Sequence, residues 1–274
     1  MAEVLVSVIM GIYNPNTPQL AKAIQSIINQ SFTDWEMIVY DDGSDYDERV
    51  RLEKLVKVDS RISFYRGSRN RGLASVLNQC IDLAKGKYIA RMDADDISLK
   101  ERLRRQVDFL ENNLAYDWVG TNAYLFAGET LWGARRMNEM PQAEDFLEYS
   151  PYIHPSVMFR REVLESSGGY NTSTRTRRCE DYELFIRLHR AGYHGYNLQE
   201  WLLAYREDEH SYLKRTPSSR FYEAQVRYWG FKELGILKLT TIQHVIRPII
   251  GALMPMALLH RLKRMRWDRE RSKR

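Results

Sequence analysis

Two hydrophobic patterns alternate along the first hundred residues. Leu5 to Ile12 is an apolar, β-branched-rich run, the pattern of a strand buried on both faces, as in a parallel sheet. Thr17-Pro18 then offers a helix N-cap and a first-turn proline, and Leu20, Ala23, Ile24, Ile27 and Ile28 recur at helical spacing. Trp35 to Tyr40 predicts a second strand, broken at Asp41-Asp42-Gly43-Ser44. A helical segment carrying Val50, Leu55 and Val56 leads to a third strand at Ile62 to Tyr65. Leu73, Val76, Leu77, Cys80, Ile81 and Ala84 line one helix face, Gly86 marks its end, and Tyr88 to Met92 is the next strand.

This order predicts a doubly wound α/β fold: a Rossmann-like, mostly parallel central sheet flanked by helices. Ligands of such sheets bind beyond the carboxyl ends of the strands. Two of these strands end in carboxylates, at Asp41-Asp42 and at Asp93, Asp95 and Asp96, so both clusters are expected at one sheet edge. Beyond them, Leu99, Leu103, Val107 and Leu110 mark a helix, and Trp118 to Trp132 reads as a β-hairpin turning at Gly128-Glu129. Ser156 to Phe159 predicts a strand, and Glu180 to Ala191 a helix stopped by Gly192, with Leu184, Phe185 and Leu188 as its apolar face.

Composition narrows the class. With 274 residues, 44% of them apolar, the chain can bury a substantial single core. Cys80 and Cys179 are the only cysteines, and without a CxxC or Cys/His pattern neither structural zinc nor a disulfide scaffold has support. The N-terminal MAEVLVSVIMGIYN reads as a first strand rather than a signal peptide, and a reducing cytoplasm is the expected compartment. Charge is uneven: the whole chain is +5, but His260 to Arg274 alone carries a net +6, leaving the other 259 residues near −1.

Neighbouring oxygen ligands suit a hard divalent cation, Mg2+ or Mn2+. Taken alone, Asp93-Ala94-Asp95 could equally be a solvated turn with Asp96 capping the next helix. Its position after a strand favours a ligand site. An EF-hand is excluded, because Ser98 falls where glycine is required and Arg104 where the bidentate glutamate belongs. The sequence GIYNPNTP after the first strand lacks the GxGxxG of dinucleotide binding.

In order, VSVIMGIYN, YDDGS, NRGLASVLNQCIDLAKGKYIARMDADD, HPSVMFRREVLESSGGYN and EDYELFIRL resemble the family 2 glycosyltransferases of the GT-A fold, over about residues 4 to 210. The resemblance implies a metal-dependent enzyme that moves a sugar from a nucleotide sugar, a UDP-sugar for preference, to an acceptor hydroxyl with inversion. It matches Asp42 to the nucleobase contact, Asp41 to a structural or ribose contact, and Tyr13 and Asn14 to the wall of the nucleotide pocket. Asp95 matches the metal ligand, with Mn2+ or Mg2+ as the cofactor, and Asp93 the ribose or metal-water contact. Glu180-Asp181 matches the acceptor-side pair, Asp181 as the base and Glu180 in support. His154 falls below the expected acceptor pocket and His210 in a late loop over the diphosphate. Arg66, Arg69 and Arg71 are candidate diphosphate contacts, and Trp132 and Tyr152 candidate sugar platforms, although a solvated loop and ordinary packing explain these five as well.

The expected organisation is a glycosyltransferase domain over 1–212, divided into a nucleotide-sugar half (1–115) and an acceptor half (116–212), and a helical basic extension over 213–274. Within that extension Val245 to Leu259 is apolar but shorter than the roughly 20 residues of a membrane span. Placed before the basic HRLKRMRWDRERSKR, it suits the interface of an anionic cytoplasmic leaflet. A lipid-linked glycan of a bacterial surface polysaccharide is the acceptor that the resemblance implies, and no aromatic platform or motif points to nucleic acid. Two other classes remain: a non-catalytic nucleotide-sugar scaffold, which intact Asp42, Asp93, Asp95 and Asp181 argue against, and a sugar-phosphate nucleotidylyltransferase, which would need a glycine-rich basic loop in place of GIYNPNTP.

Overall fold

The computed structural model describes residues 4–207 and 216–253. Strand and helix alternate as the hydrophobic pattern predicts. The order is β1 (Val6–Ile12), α1 (Thr17–Ile28), β2 (Trp35–Asp41), α2 (Tyr46–Val56), β3 (Ile62–Arg66), α3 (Leu73–Leu83) and β4 (Tyr88–Arg91). Then come β5 (Ile97–Ser98), α4 (Arg102–Asn112), β6 (Trp118–Ala127), β7 (Thr130–Arg135), β8 (Met158–Arg160), α5 (Arg161–Ser166), α6 (Glu180–Arg190) and β9 (Gly195–Arg206). Helices α7 (Pro217–Glu233) and α8 (Ile242–Leu253) follow.

One sheet runs β3-β2-β1-β4-β8-β6-β9-β5, with β7 on β6. The first four strands are parallel neighbours, and the far half mixes antiparallel pairs with a parallel β6–β9 ladder. Chain order reverses at β1, with β2 on one flank and β4 on the other, so the crevice over their carboxyl ends is the switch point where such sheets take ligands.

Strand alternation divides the core between the two faces of the sheet. Val8, Met10, Met37 and Val39 pack with Leu20, Ala23, Ile24 and Ile27 of α1 and with Leu103, Val107 and Leu110 of α4. Ile9, Ile38 and Ile89 face the opposite way, against Val76, Leu77 and Cys80 of α3 and Leu184, Phe185 and Leu188 of α6. Phe231 of α7 and Val245 of α8 join this second cluster, so both late helices pack on the sheet domain. Cys80 and Cys179 are free thiols, both buried. Among the described residues no helix is long and apolar enough to cross a membrane.

Several local expectations shift. Asn16, not Thr17, caps α1, its side chain accepting from the Gln19 N–H at 3.1 Å. In α2 Leu52 and Val56 are buried, while Val50 is exposed. Gly86 does not cap α3, whose C-cap is Ala84; a Cβ at Gly86 would lie 2.5 Å from the Ser7 backbone nitrogen, so glycine there admits a close chain approach. The strand expected over Ser156 to Phe159 starts later, at Met158, because His154–Ser156 forms a 3-10 turn in which Pro155 fixes the backbone. The hairpin continues past Trp132 to Arg135.

Candidate active site

The loops after β1 and β2 are stitched to each other. Asp42 is buried, and its two carboxylate oxygens accept the backbone N–H groups of Arg71 at 2.8 Å and Gly72 at 2.7 Å. Gly72 sits at φ +93°, a conformation that favours glycine. Asp41 is wholly buried, accepts from the Ser44 N–H at 3.0 Å and lies 3.4 Å from Arg66 Nε. Arg66 also donates to the Ser44 carbonyl at 2.5 Å, so it braces this loop. Asn14, at φ 42°, donates from its backbone to Ser44 Oγ at 2.8 Å, and its side-chain oxygen accepts from the Asp45 N–H at 2.9 Å. Beside it Tyr13 is 49% exposed, a large aromatic left uncovered at the crevice.

Asp93, Asp95 and Asp96 follow β4, and each offers a carboxylate oxygen within 4.8 Å of the others. Asp96 is buried, accepts from the Arg206 N–H at 2.8 Å, and its second oxygen is buried with no hydrogen-bond donor among the described residues. It does not cap the next helix: Ile97–Ser98 pairs with β9 and Glu101 is the N-cap of α4. Burial holds the Asp96 carboxyl well above the usual carboxylate range, and Asp93 and Asp95 push the same way. Three converging carboxylates with an unsatisfied buried oxygen fit a hard divalent cation, which would relieve their repulsion.

Beneath this cluster lies a buried cation. Arg91, 2% exposed, places Nη1 2.5 Å from Asp93 Oδ1. Arg102, also buried, donates to the carbonyls of Pro155 at 2.8 Å and Arg91 at 3.2 Å.

Glu180 and Asp181, both half-buried, open α6. Burial raises the Glu180 carboxyl above its ordinary value, and the neighbouring Asp181 adds to the shift. The pair and the acidic cluster meet around one phenol. Tyr170 is buried, which raises its hydroxyl; Arg91 opposes the shift, while Asp181, Glu180 and Asp93 add to it. All four charges therefore lie within electrostatic reach of a single oxygen. That hydroxyl is 2.7 Å from His154 Nε2. Burial first, and Arg91 second, hold His154 well below its ordinary value, so the imidazole is neutral. Asn78 fixes the Tyr170 backbone from both sides, donating to its carbonyl at 2.8 Å and accepting its N–H at 2.8 Å.

Of the residues singled out in the sequence, Asp41, Asp42, Tyr13 and Asn14 thus share the loops over β1 and β2, Asp93 and Asp95 converge with Asp96 after β4, and Asp93, Glu180 and Asp181 all act on the Tyr170 hydroxyl. His154 is a core residue beneath them, 8% exposed. His210 lies outside the described residues. Tyr152 is 2% exposed and packs edge-on against Trp118, which leaves no ring face for a sugar. Trp132 donates to the Glu207 carbonyl at 3.2 Å. Sequence reasoning missed Arg91, Tyr170 and Arg206. Arg91 had a signal, a lone charge inside the apolar run Tyr88 to Met92; Tyr170 and Arg206 had none at short range.

The match to the glycosyl transferase family 2 model covers residues 7–168. The chain is 37% identical over 262 residues to EpsE of Bacillus subtilis (strain 168), covering 95% of this chain and 94% of that one. It is 30% identical over 208 residues to the O-antigen biosynthesis glycosyltransferase WbnJ of Escherichia coli, covering 74% and 79%. Its fold is similar to that of S. aureus TarS 1-349 in complex with UDP-GlcNAc, with a TM-score of 0.67 at 16% identity over 91% of this chain and 71% of that one. The fold, the acidic edge of its sheet and these likenesses lead to one conclusion: the chain belongs to glycosyl transferase family 2 and is a glycosyltransferase.

Proposed function

We propose that the protein transfers a sugar from a UDP-sugar to a hydroxyl of a lipid-linked glycan in surface polysaccharide biosynthesis, with inversion at the anomeric carbon. The observation that carries this reading is the convergence of the Asp93, Asp95 and Asp96 carboxylates within 4.8 Å of one another after β4, at the switch-point edge. On this reading one site holds that cation-binding cluster and, from the start of α6, a carboxylate base. WbnJ's part in O-antigen biosynthesis and the UDP-GlcNAc bound by TarS support the choice of pathway and donor.

Asp42 holds the Arg71-Gly72 backbone against the nucleobase and offers its remaining lone pairs to a base N–H. Tyr13 and Asn14 wall the nucleoside, and Asp41, bonded to Ser44 and ion-paired with Arg66, keeps the loop in place. Asp95 and Asp93 hold Mn2+ or Mg2+, with Arg91 fixing the Asp93 carboxylate. When bound, that cation neutralises charge on the departing diphosphate. Asp181 accepts the proton of the acceptor hydroxyl as the new C–O bond forms, which an aspartate ionised at neutral pH can do. Glu180 and the neutral His154–Tyr170 pair support that end of the site from below.

At the C-terminus, Ile242, Ile246, Ile249 and Ile250 are exposed at helical spacing on α8. They precede the basic run His260 to Arg274, which lies outside the described residues with the rest of the apolar stretch after Leu253. This supports peripheral docking on the anionic inner face of the membrane. Deletion after Thr241 should abolish sedimentation with anionic vesicles; unchanged sedimentation rejects the docking.

The transfer reading is tested with a panel of nucleotide sugars in Mn2+ or Mg2+, scored by nucleoside diphosphate release. Release from a UDP-sugar, lost on chelation, is expected. Absence of release from every donor would overturn it.

A further inference from the structure

A cavity of about 380 Å³ lies between α6, α7 and the segment 171–176. Its volume falls in the range of small-molecule sites. Trp229 contributes an indole that is 58% exposed, held in place by Tyr228 edge-on at 5.3 Å and by Lys232, whose ammonium is 5.4 Å from the ring centre. Asn171, Ser173 and Gln225 supply amide and hydroxyl groups around it.

The charges in this cavity are unevenly satisfied. Arg187 pairs with Glu183 at 3.1 Å and Arg190 with Glu233 at 3.4 Å. Arg175 is exposed and has no carboxylate partner among the described residues. Glu183 spends one oxygen on Arg187, and its other oxygen, Oε2, is buried with no hydrogen-bond donor among the described residues.

A ligand that suits this lining must present a flat apolar face to the exposed Trp229 indole and acceptor oxygens to the Arg175 guanidinium; Oε2 of Glu183 has no accessible surface and takes no part. A purely apolar ligand would strip water from Arg175 and from the amides of Asn171 and Gln225, and a simple anion would meet the Glu183 and Glu233 carboxylates. A pyranose ring meets both demands, its C–H face on the aromatic and its hydroxyls at the rim.

Position in the fold gives the site its role. Glu183 is two residues beyond Asp181 on α6, turned about 200° around the helix axis, so the cavity lies on the flank of α6 away from the base. Residues 171–181 run from its rim to Glu180-Asp181. We propose that this cavity is a glycan subsite, holding a sugar ring of the acceptor chain remote from the hydroxyl that reacts. The inference rests on the transferase reading above, since a glycan acceptor gives the subsite its purpose.

The test is saturation-transfer NMR on the full chain with cellobiose, chitobiose and digalacturonate as probes. At least one should receive saturation on its ring protons. Trp229→Ala should weaken that binding about tenfold, and Trp229→Phe should restore most of it. Calorimetry with UDP and Mn2+ on the same samples separates the two readings: donor binding should be equal in wild type and Trp229→Ala. No transfer to any probe in wild type, equal transfer in Trp229→Ala, or joint loss of sugar and UDP binding in Trp229→Ala overturns the subsite. Failure of wild type alone to bind UDP counts against the donor reading and leaves the sugar result standing by itself.

Discussion

The guanidinium of Arg91 meets the carboxylate of Asp93 at 2.5 Å from beneath, buried where β4 leaves the sheet. Nε and Nη1 of this arginine have no well-aligned hydrogen bond among the described residues, so its charge is directed mainly at the acidic cluster. Asp93 is 32% exposed on its side chain, which keeps the pair's contribution below the roughly 3–5 kcal/mol lost when one member of a fully buried pair is removed.

Arg91→Met should therefore lower stability by about 2 kcal/mol and weaken Mn2+-dependent UDP binding by more than that loss of fold explains. Urea denaturation and calorimetry on one preparation check both numbers. Retained nucleotide affinity would confine Arg91 to packing.

Gly72 holds the Asp42 loop at φ +93°, and a Cβ there would sit 3.5 Å from Arg177 Nη2. Space is adequate, but the backbone is not. Gly72→Ala should cost about 1 kcal/mol of stability and weaken nucleotide binding by loosening the two N–H groups on Asp42. An unchanged denaturation midpoint would show that the loop reaches an unstrained conformation.

Glu180 makes stability depend on pH. Its raised pKa, caused first by burial and then by Asp181, means that the folded chain holds this proton more tightly than the unfolded chain. The stability it contributes is complete below its unfolded value and is lost as pH rises through the higher folded value. Glu180→Gln removes that loss, so the variant's Tm should gain on wild type as pH rises from the unfolded value, about 4.3, through the higher folded one. A constant Tm difference across this window would refute the shift.

The parallel half of the fold was legible because its strands are mostly apolar and α1 and α3 carry regular apolar stripes. The far half was harder to read. β9 mixes Asn197, Gln199 and Glu200 with Leu198, Leu202 and Leu203, and its ladder with β6 shifts register twice, which erases a clean two-residue period. At the site, carboxylates at strand ends announce themselves in sequence. Tyr170 and Asn78 do not, because their significance comes from a reciprocal hydrogen-bond pair across 92 residues. Asp96 shows the same limit: the cap that its position suggested gives way to an acceptor for Arg206, 110 residues away.

The central claim divides labour between Asp95, which holds the cation and hence the donor, and Asp181, which takes the acceptor's proton. Measuring UDP-sugar affinity and sugar transfer side by side in Asp95→Ala and Asp181→Asn tests that division directly. Asp95→Ala should lose Mn2+-dependent donor binding, whereas Asp181→Asn should keep donor affinity and lose transfer by about a hundredfold or more. Full transfer by Asp181→Asn, or unchanged metal-dependent binding by Asp95→Ala, would contradict the account.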